Sequence, residues 1–160
     1  MKKVLIGLTA AALALGLAGT AAAATSASQV TVTVPLFDML SVTNSAGITL
    51  SASVGDSEMT GSDNSATLWY LHTGSNQKKI TAAVTTDPSG TDDITLTVQV
   101  ADGNGQQTIY SSGTATAAKD VYTNISRGVR RDKTVTYTAA ATTTDADAYA
   151  FVVTFTSTDQ

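Results

Sequence analysis

The segment "DITLTVQV", residues 93–100, decides the fold class because its side chains alternate strictly along the chain. Its even-numbered residues are Ile, Leu and Val, and its odd-numbered residues are Asp, Thr and Gln. Successive side chains of an extended chain point to opposite faces, so this order gives one apolar face and one polar face. The segment therefore predicts a β-strand of an antiparallel sheet that has one face in the core.

The same alternation recurs along the chain, whereas helical periodicity is nowhere sustained. Six further clear strands are predicted at residues 28–34, 48–54, 67–72, 79–85, 133–139 and 148–156, and two weaker ones at 37–42 and 108–116. Short stretches rich in Asp, Asn and Gly separate most of them, as turns require. We therefore predict an all-β protein, an antiparallel β-sandwich of the Ig-like or jelly-roll-like type with seven to nine strands.

The strongest alternating faces also predict the core. These are the faces that carry Leu96, Val98, Val135, Tyr137, Phe151, Val153 and Phe155.

The first 24 residues have the pattern of a secretory signal peptide. Lys2 and Lys3 precede a short run rich in Ala, Leu and Gly, and small residues at 21–24 suit signal peptidase. We predict cleavage after Ala24, with Ala27 as the alternative. Residues 25–160 then form a single secreted domain. Its N-terminal strand, 25–35, either pairs with a sheet of its own chain or is donated to a neighbouring subunit.

The composition excludes several classes of function. Cleavage after Ala24 removes two of the nine basic residues and none of the thirteen acidic ones, which leaves a net charge of −6. Such a charge argues against nucleic-acid and anionic-membrane partners. The chain has no cysteine, so disulfides, thiol catalysis and Cys-ligated metals are excluded.

No catalytic motif is legible, and we predict that the chain is not an enzyme and needs no cofactor. His72 is the only histidine and stands at a predicted strand end, where a structural role is the ordinary interpretation. Calcium is the one ligand for which acidic loops offer oxygen donors, although EF-hand spacing is absent. The weak calcium candidates are Asp56, Glu58, Asp63, Asp87, Asp92 and Asp93.

Three other features carry alternative interpretations. The segment "RGVRRDK" places four basic residues in a predicted loop, which is either solvated or an interaction site: Arg127, Arg130, Arg131 and Lys133. Trp69 and Tyr70 point to opposite faces of one strand, so either one anchors the core while the other is partly exposed, or one of them stacks on a sugar ring of a surface glycan. Asn124 lies in "NIS", which matches an N-glycosylation acceptor.

The opening segment "SQVTVTVP", residues 28–35, carries no charge and ends at a proline, which interrupts regular pairing. Val30, Val32 and Val34 could fill alternate pockets of a groove, which is the geometry of strand addition.

A signal peptide, this alternating N-terminal strand and the closing strand "AYAFVVTFTSTDQ" together resemble secreted pilin and matrix-fibre subunits that polymerise by strand donation. The chain differs from chaperone–usher pilins in lacking cysteine and in having Asp159 in place of a penultimate Tyr. Its layout is compatible with cysteine-free matrix fibres of the TasA and archaeal bundling-pilus kind. The resemblance implies a homopolymer at the cell surface that serves in adhesion or a biofilm matrix; the alternative is a monomeric module that binds carbohydrate or another surface.

Overall fold

The computed structural model describes residues 29–44, 46–86, 93–142 and 148–160, without the side chains of 129–131. The chain falls into two units, Met1–Thr33 and Val34–Gln160. Only residues 29–33 of the first unit are described, and they have no regular secondary structure. The predicted signal peptide lies outside the described residues. The described ranges contain no helix, and hence none long and apolar enough to cross a membrane.

The described residues of the second unit form nine strands. In chain order they are β1 (Asp38–Thr43), β2 (Met59–His72), β3 (Lys78–Thr86), β4 (Ile94–Val100), β5 (Gln107–Ser111), β6 (Thr114–Ala115), β7 (Lys119–Ile125), β8 (Gly128–Ala141) and β9 (Val152–Asp159). One sheet has the order β1-β2-β8-β4-β5-β6, the other β7-β3-β9, and every pairing is antiparallel. The predicted all-β antiparallel fold with seven to nine strands is confirmed.

The two sheets contribute to one cluster of buried side chains. Leu68 of β2 and Val98 of β4 come from the large sheet, and Ile80 and Ala82 of β3 from the small one; all four are fully buried. Of the predicted core, the four members on β4 and β8 are buried: Leu96, Val98, Val135 and Tyr137. The members at the C-terminus, Phe151, Val153 and Phe155, pack against the cluster but remain only half-buried.

The strand predicted at 48–54 is wrong apart from one isolated bridge, in which Ser51 and Thr60 exchange two backbone hydrogen bonds of 3.0 Å. The chain changes register before this bridge, at Asn44, whose φ of 66° is left-handed. The Asn44 amide donates to the Ser65 carbonyl at 2.9 Å, which fixes this break in the pairing. Residues 46–50 thus follow the first half of β2 without a continuous ladder.

A β-bulge in β2 accompanies that change of register. Pairing with β8 shifts between Asp63 and Ala66, so the inward-facing residues are odd-numbered before the bulge and even-numbered after it. The Asp63 carboxylate accepts the Ser65 N–H at 2.7 Å and the Gly47 N–H at 3.0 Å. The Asp63 side chain therefore joins the bulge to the segment that runs beside it.

One strand was missed by the sequence analysis, and three further predictions are corrected. β7 was not predicted because its two buried residues, Val121 and Ile125, are four positions apart, a consequence of two irregularities in its pairing with β3. The segment 108–116 is divided into β5 and β6 by a tight turn at Ser112 and Gly113, both with positive φ. The segment "RGVRRDK" is not a loop, since β8 begins at Gly128. The described part of 28–34 forms no strand.

The degree of enclosure predicts different costs for truncating two core residues. Leu68 is fully buried, so Leu68→Ala should lower the free energy of unfolding by about 2–5 kcal/mol. Phe155 is half-buried, so Phe155→Ala should cost the monomer less than the ~3 kcal/mol that marks the lower end for an enclosed Phe. Urea denaturation of both variants measures this. A cost for Phe155→Ala above that of Leu68→Ala would show that the ring is enclosed in the monomer.

Candidate functional site: an exposed alternating segment and an open edge of the core

The strand predicted to be donated is 25–35; its described residues, 29–35, and Leu36 after them belong to no strand of the described chain. Its apolar side chains are largely exposed: Val30 and Val32 at 79%, Val34 at 69% and Leu36 at 82%. Alternation would give this segment an apolar face. A segment becomes a β-strand, however, only where a neighbouring strand accepts and donates its backbone hydrogen bonds. The segment therefore has the pattern of a strand without its pairing.

Thr73, just after β2, anchors the chain where this segment ends. Its hydroxyl donates to the Pro35 carbonyl at 2.8 Å and accepts the Phe37 N–H at 2.7 Å. The Thr73 N–H also donates to the Phe37 carbonyl at 3.0 Å. The sheet is thus fastened from Pro35 onward, and the residues before Pro35 are not needed to hold β1 on β2.

Strand β9 forms one edge of the small sheet, with β3 as its only partner strand in the described chain. The Gln160 N–H donates to the Gln77 carbonyl at 3.0 Å, in the same register as the rest of the β3–β9 pair. Because hydrogen-bonded pairs alternate in antiparallel sheets, the backbone groups of Thr154, Thr156 and Thr158 face β3. Those of Val153, Phe155 and Ser157 face away from it, along the free edge.

The core is open beside this edge. On β9 the inward residues Val153 and Phe155 are half-buried, whereas their partners on β3, Val84 and Ala82, are buried. The large sheet contributes half-buried apolar residues from its own edge: Leu40, Val42, Ala46, Ile48 and Leu50. We call these seven half-buried residues of the two edges the open rim. Phe151, before β9, packs its ring on Tyr110 of β5 with the centroids 4.9 Å apart.

The two edges meet at one end of the open rim in a polar cluster that we call the clasp. Lys78 lies 2.9 Å from the Asp38 carboxylate on β1 and 2.7 Å from the Asp159 carboxylate on β9. The Ser157 hydroxyl lies 3.1 Å from the Tyr70 hydroxyl and donates to Asp38 at 3.3 Å. One cation thus joins both sheets where the open rim ends.

The contacts within the clasp shift the pKa values of its titratable side chains. Burial alone would raise the pKa of Asp38, but hydrogen bonds from Lys78, Ser157 and Tyr70 outweigh it and lower that pKa. The hydrogen bond from Lys78, and a second one from Asn76, lower the pKa of Asp159. The same two carboxylates raise the pKa of Lys78. Burial raises the pKa of Tyr70, so its hydroxyl stays protonated at neutral pH. The cluster is therefore fully charged and paired near pH 7.

His72 is a core residue at the end of β2, with 1% of its surface exposed. Its Nε2 lies 3.1 Å from the Ile125 carbonyl oxygen, its ring centroid is 5.5 Å from that of Tyr70, and no hydrogen-bond partner is described for its Nδ1. The structural interpretation made from the sequence fits this position.

The calcium candidates are dispersed. No three His, Asp or Glu side chains of the described residues are grouped closely enough to hold an ion. Asp63 is bound to the backbone of the β2 bulge, and Asp56 accepts the Ser53 N–H at 2.7 Å within a turn. Glu58 is exposed, and Asp93 precedes β4. Asp87 and Asp92 lie outside the described residues.

The four predicted basic residues do not share one loop. Arg127 is exposed between β7 and β8, and Arg130 and Arg131 lie within β8. The Lys133 ammonium donates to Asp102 at 2.6 Å and lies 5.9 Å from the centre of the Tyr122 ring. Asn124 is exposed on β7, and its side-chain oxygen accepts the Gln160 amide at 3.1 Å.

Trp69 and Tyr70 point to opposite faces of β2, as predicted. Tyr70 is buried and Trp69 is half-exposed. Trp69 pairs with Ser41 of β1 on one side and Asp132 of β8 on the other. These three residues line a hollow on the outer face of the large sheet, together with Thr43 and Thr67.

Comparison with known proteins gives no relative, since no family model, curated protein or solved structure matches the chain.

The clasp predicts how stability depends on pH. The pKa of an Asp side chain in an unfolded chain is about 3.9. Because the folded pKa values of Asp38 and Asp159 are lowered, both carboxylates stabilise the fold above that pH, and this contribution is lost as the pH falls through their folded values. The Lys78→Met substitution removes the cation that lowers the pKa values of both carboxylates. The drop in Tm between about pH 6 and about pH 2.5 should therefore be smaller in Lys78→Met than in the unmodified protein.

Lys79→Met is the matched control, because Lys79 pairs with Asp120 on β7 at 3.1 Å, away from the clasp. Equal pH dependence of Lys78→Met and the unmodified protein would contradict a stabilising role for the clasp.

Proposed function

We propose that this chain is a secreted, non-enzymatic structural subunit that builds an extracellular filament, pilus or surface layer by β-strand addition. Residues 29–34 of one copy pair with a sheet edge of the next copy. The observation that carries the proposal is this segment, which alternates, bears no charge and exposes Val30, Val32 and Val34 while remaining unpaired in the described chain.

The physical argument rests on what such a segment costs in water. Large apolar side chains at 69–79% exposure leave most of their surface hydrated, and burying a Val completely contributes about 1.5–3 kcal/mol. Strand addition buries alternate side chains and pairs the backbone at the same time. A monomer can do neither while residues 29–34 lie outside its sheets. A second copy supplies both.

The remaining chemistry agrees with a structural role. Several titratable side chains of the described residues serve the fold: His72 lies in the core, Asp63 fixes a bulge, and Asp38 and Asp159 hold Lys78. A net charge of −6 after cleavage would keep unassembled subunits soluble.

Deleting residues 25–34 tests the proposal. Since Thr73 fastens the chain from Pro35 onward, the deletion variant should remain folded, with a sharp thermal transition. It should stay monomeric in sedimentation velocity, while the mature protein forms filaments visible by negative-stain microscopy. A synthetic peptide of residues 28–35 should bind the deletion variant and cap the assembly of the mature protein. A mature protein that stays monomeric at high concentration, with a deletion that unfolds, would show that the segment belongs to its own sheet.

A pair of substitutions separates the apolar side chains of the segment from its length. Val32→Thr keeps the shape but buries a hydroxyl, which costs about 1–3 kcal/mol without a partner and should raise the critical concentration for assembly about 5- to 150-fold. Thr31→Ser, on the opposite face, is the matched control and should change it less than about threefold. Equal effects of the two substitutions would contradict alternate burial.

A monomeric module that binds surface glycans is the second candidate, and the hollow around Trp69 favours it. A half-exposed indole flanked by Asp132 and the hydroxyls of Ser41, Thr43 and Thr67 offers a stacking surface with polar groups beside it. Sugar rings present apolar C–H faces and hydroxyl edges, which match such a surface.

A glycan array with the monomeric deletion variant tests this second candidate. If the hollow binds sugar, Trp69→Ala should abolish any glycan signal, whereas Leu71→Ala, on the same face of β2, should retain it. A signal that survives Trp69→Ala, or the absence of any signal, would remove the hollow as a glycan site.

A further inference from the structure

We infer that the acceptor of the donated segment is the free edge of β9, with the open rim as the surface that receives its apolar side chains. This inference rests on the proposed function and names the partner surface, which is the β9 edge of a second copy of this chain.

The other edges of the two sheets are less suitable acceptors. The edge of β7 is covered by the turn after β4, where the Asn104 N–H donates to the Val121 carbonyl at 3.0 Å and its side-chain amide to the Asp120 carbonyl at 3.1 Å. Strand β6 has only two residues. Strand β1 has six, one of them Asp38, and its own chain enters it directly from Pro35. Strand β9 is the longest of the four edge strands.

The interior of β9 also lacks the features by which natural edge strands avoid pairing, since its one charged residue, Asp159, is its last and is paired with Lys78. Residues 152–158 read "VVTFTST" and contain neither a charge nor a proline. By contrast, β1 begins with Asp38, and β7 begins with Lys119 and Asp120. An uncharged edge beside a half-buried apolar rim is the kind of edge that accepts another strand.

The dimensions of donor and acceptor agree. The free edge from Val152 to Ser157, where the clasp begins, has six residues and spans about 20 Å at about 3.3 Å per residue. The apolar part of the donor, Val30 to Val34, has five residues and spans about 17 Å. The donor therefore fits within the open part of the edge.

The backbone geometry sets the register. The N–H and C=O groups of Val153, Phe155 and Ser157 face the free edge, and their side chains face the core. With Val32 placed at the middle of the edge, Val30, Val32 and Val34 face the open rim. Thr31 and Thr33 then lie beside Thr154 and Thr156 on the outer face, for either direction of the donated strand.

Disulfide trapping tests this arrangement without background, because the chain has no cysteine. Two single-cysteine proteins of different tag length, Thr31→Cys and Thr156→Cys, are mixed, assembled and oxidised mildly. Cross-strand neighbours lie within the Cα separation that a disulfide needs. The mixed disulfide should form at least ten times faster than with Thr114→Cys, an exposed Thr on β6 that serves as the matched control. Thr154→Cys takes the place of Thr156→Cys if the donated strand runs parallel to β9, because Thr31 is then beside Thr154, so the faster of the two pairs gives the direction of the strand.

The outcomes separate this inference from the proposed function. Filaments that trap Thr31→Cys with Thr43→Cys of β1, and not with either β9 variant, would overturn the β9 acceptor while leaving strand donation intact. Filaments that trap none of these pairs would also overturn it. If neither the variants nor the unmodified protein assembles, the proposed function is contradicted, and the inference that β9 is the acceptor is contradicted with it.

Discussion

The unequal size of the two sheets is the constraint on which the rest of the structure depends. A core between two sheets is enclosed when their apolar faces cover one another, but in the described chain one sheet has six strands and the other three. The strand at the centre of the small sheet is well covered, since Ile80 and Ala82 of β3 are fully buried. The edge strand β9 is not, and its inward residues Val153 and Phe155 stay half-buried.

Two groups of polar contacts border the open rim. The clasp joins Lys78 to Asp38 and Asp159, so that both edges are tied together at one end of the open rim. The bulge at Asp63 and the left-handed Asn44 hold residues 46–50 against β2 without a full ladder. Each of these groups of contacts satisfies polar atoms where regular pairing stops.

The sequence predicted the fold class because alternation is a local signal that survives in most of the strands. It failed where pairing, a long-range property, decides the outcome. Residues 48–54 alternate as clearly as β4, yet a change of register at Asn44 leaves them one bridge. Strand β7 alternates poorly and forms nonetheless, because β3 offers it an edge. The donor residues Val30, Val32 and Val34 were legible as a pattern, whereas the open rim was not, since half-burial depends on which strands end up as edges.

Amide hydrogen exchange of β9 in the assembled and monomeric states tests the central claim most directly. The N–H groups of Val153, Phe155 and Ser157 face the free edge, so they should exchange rapidly in the monomer and become strongly protected on assembly. Those of Thr154, Thr156 and Thr158 face β3 and should be protected in both states. Filaments in which the first set still exchanges as fast as in the monomer would contradict the account.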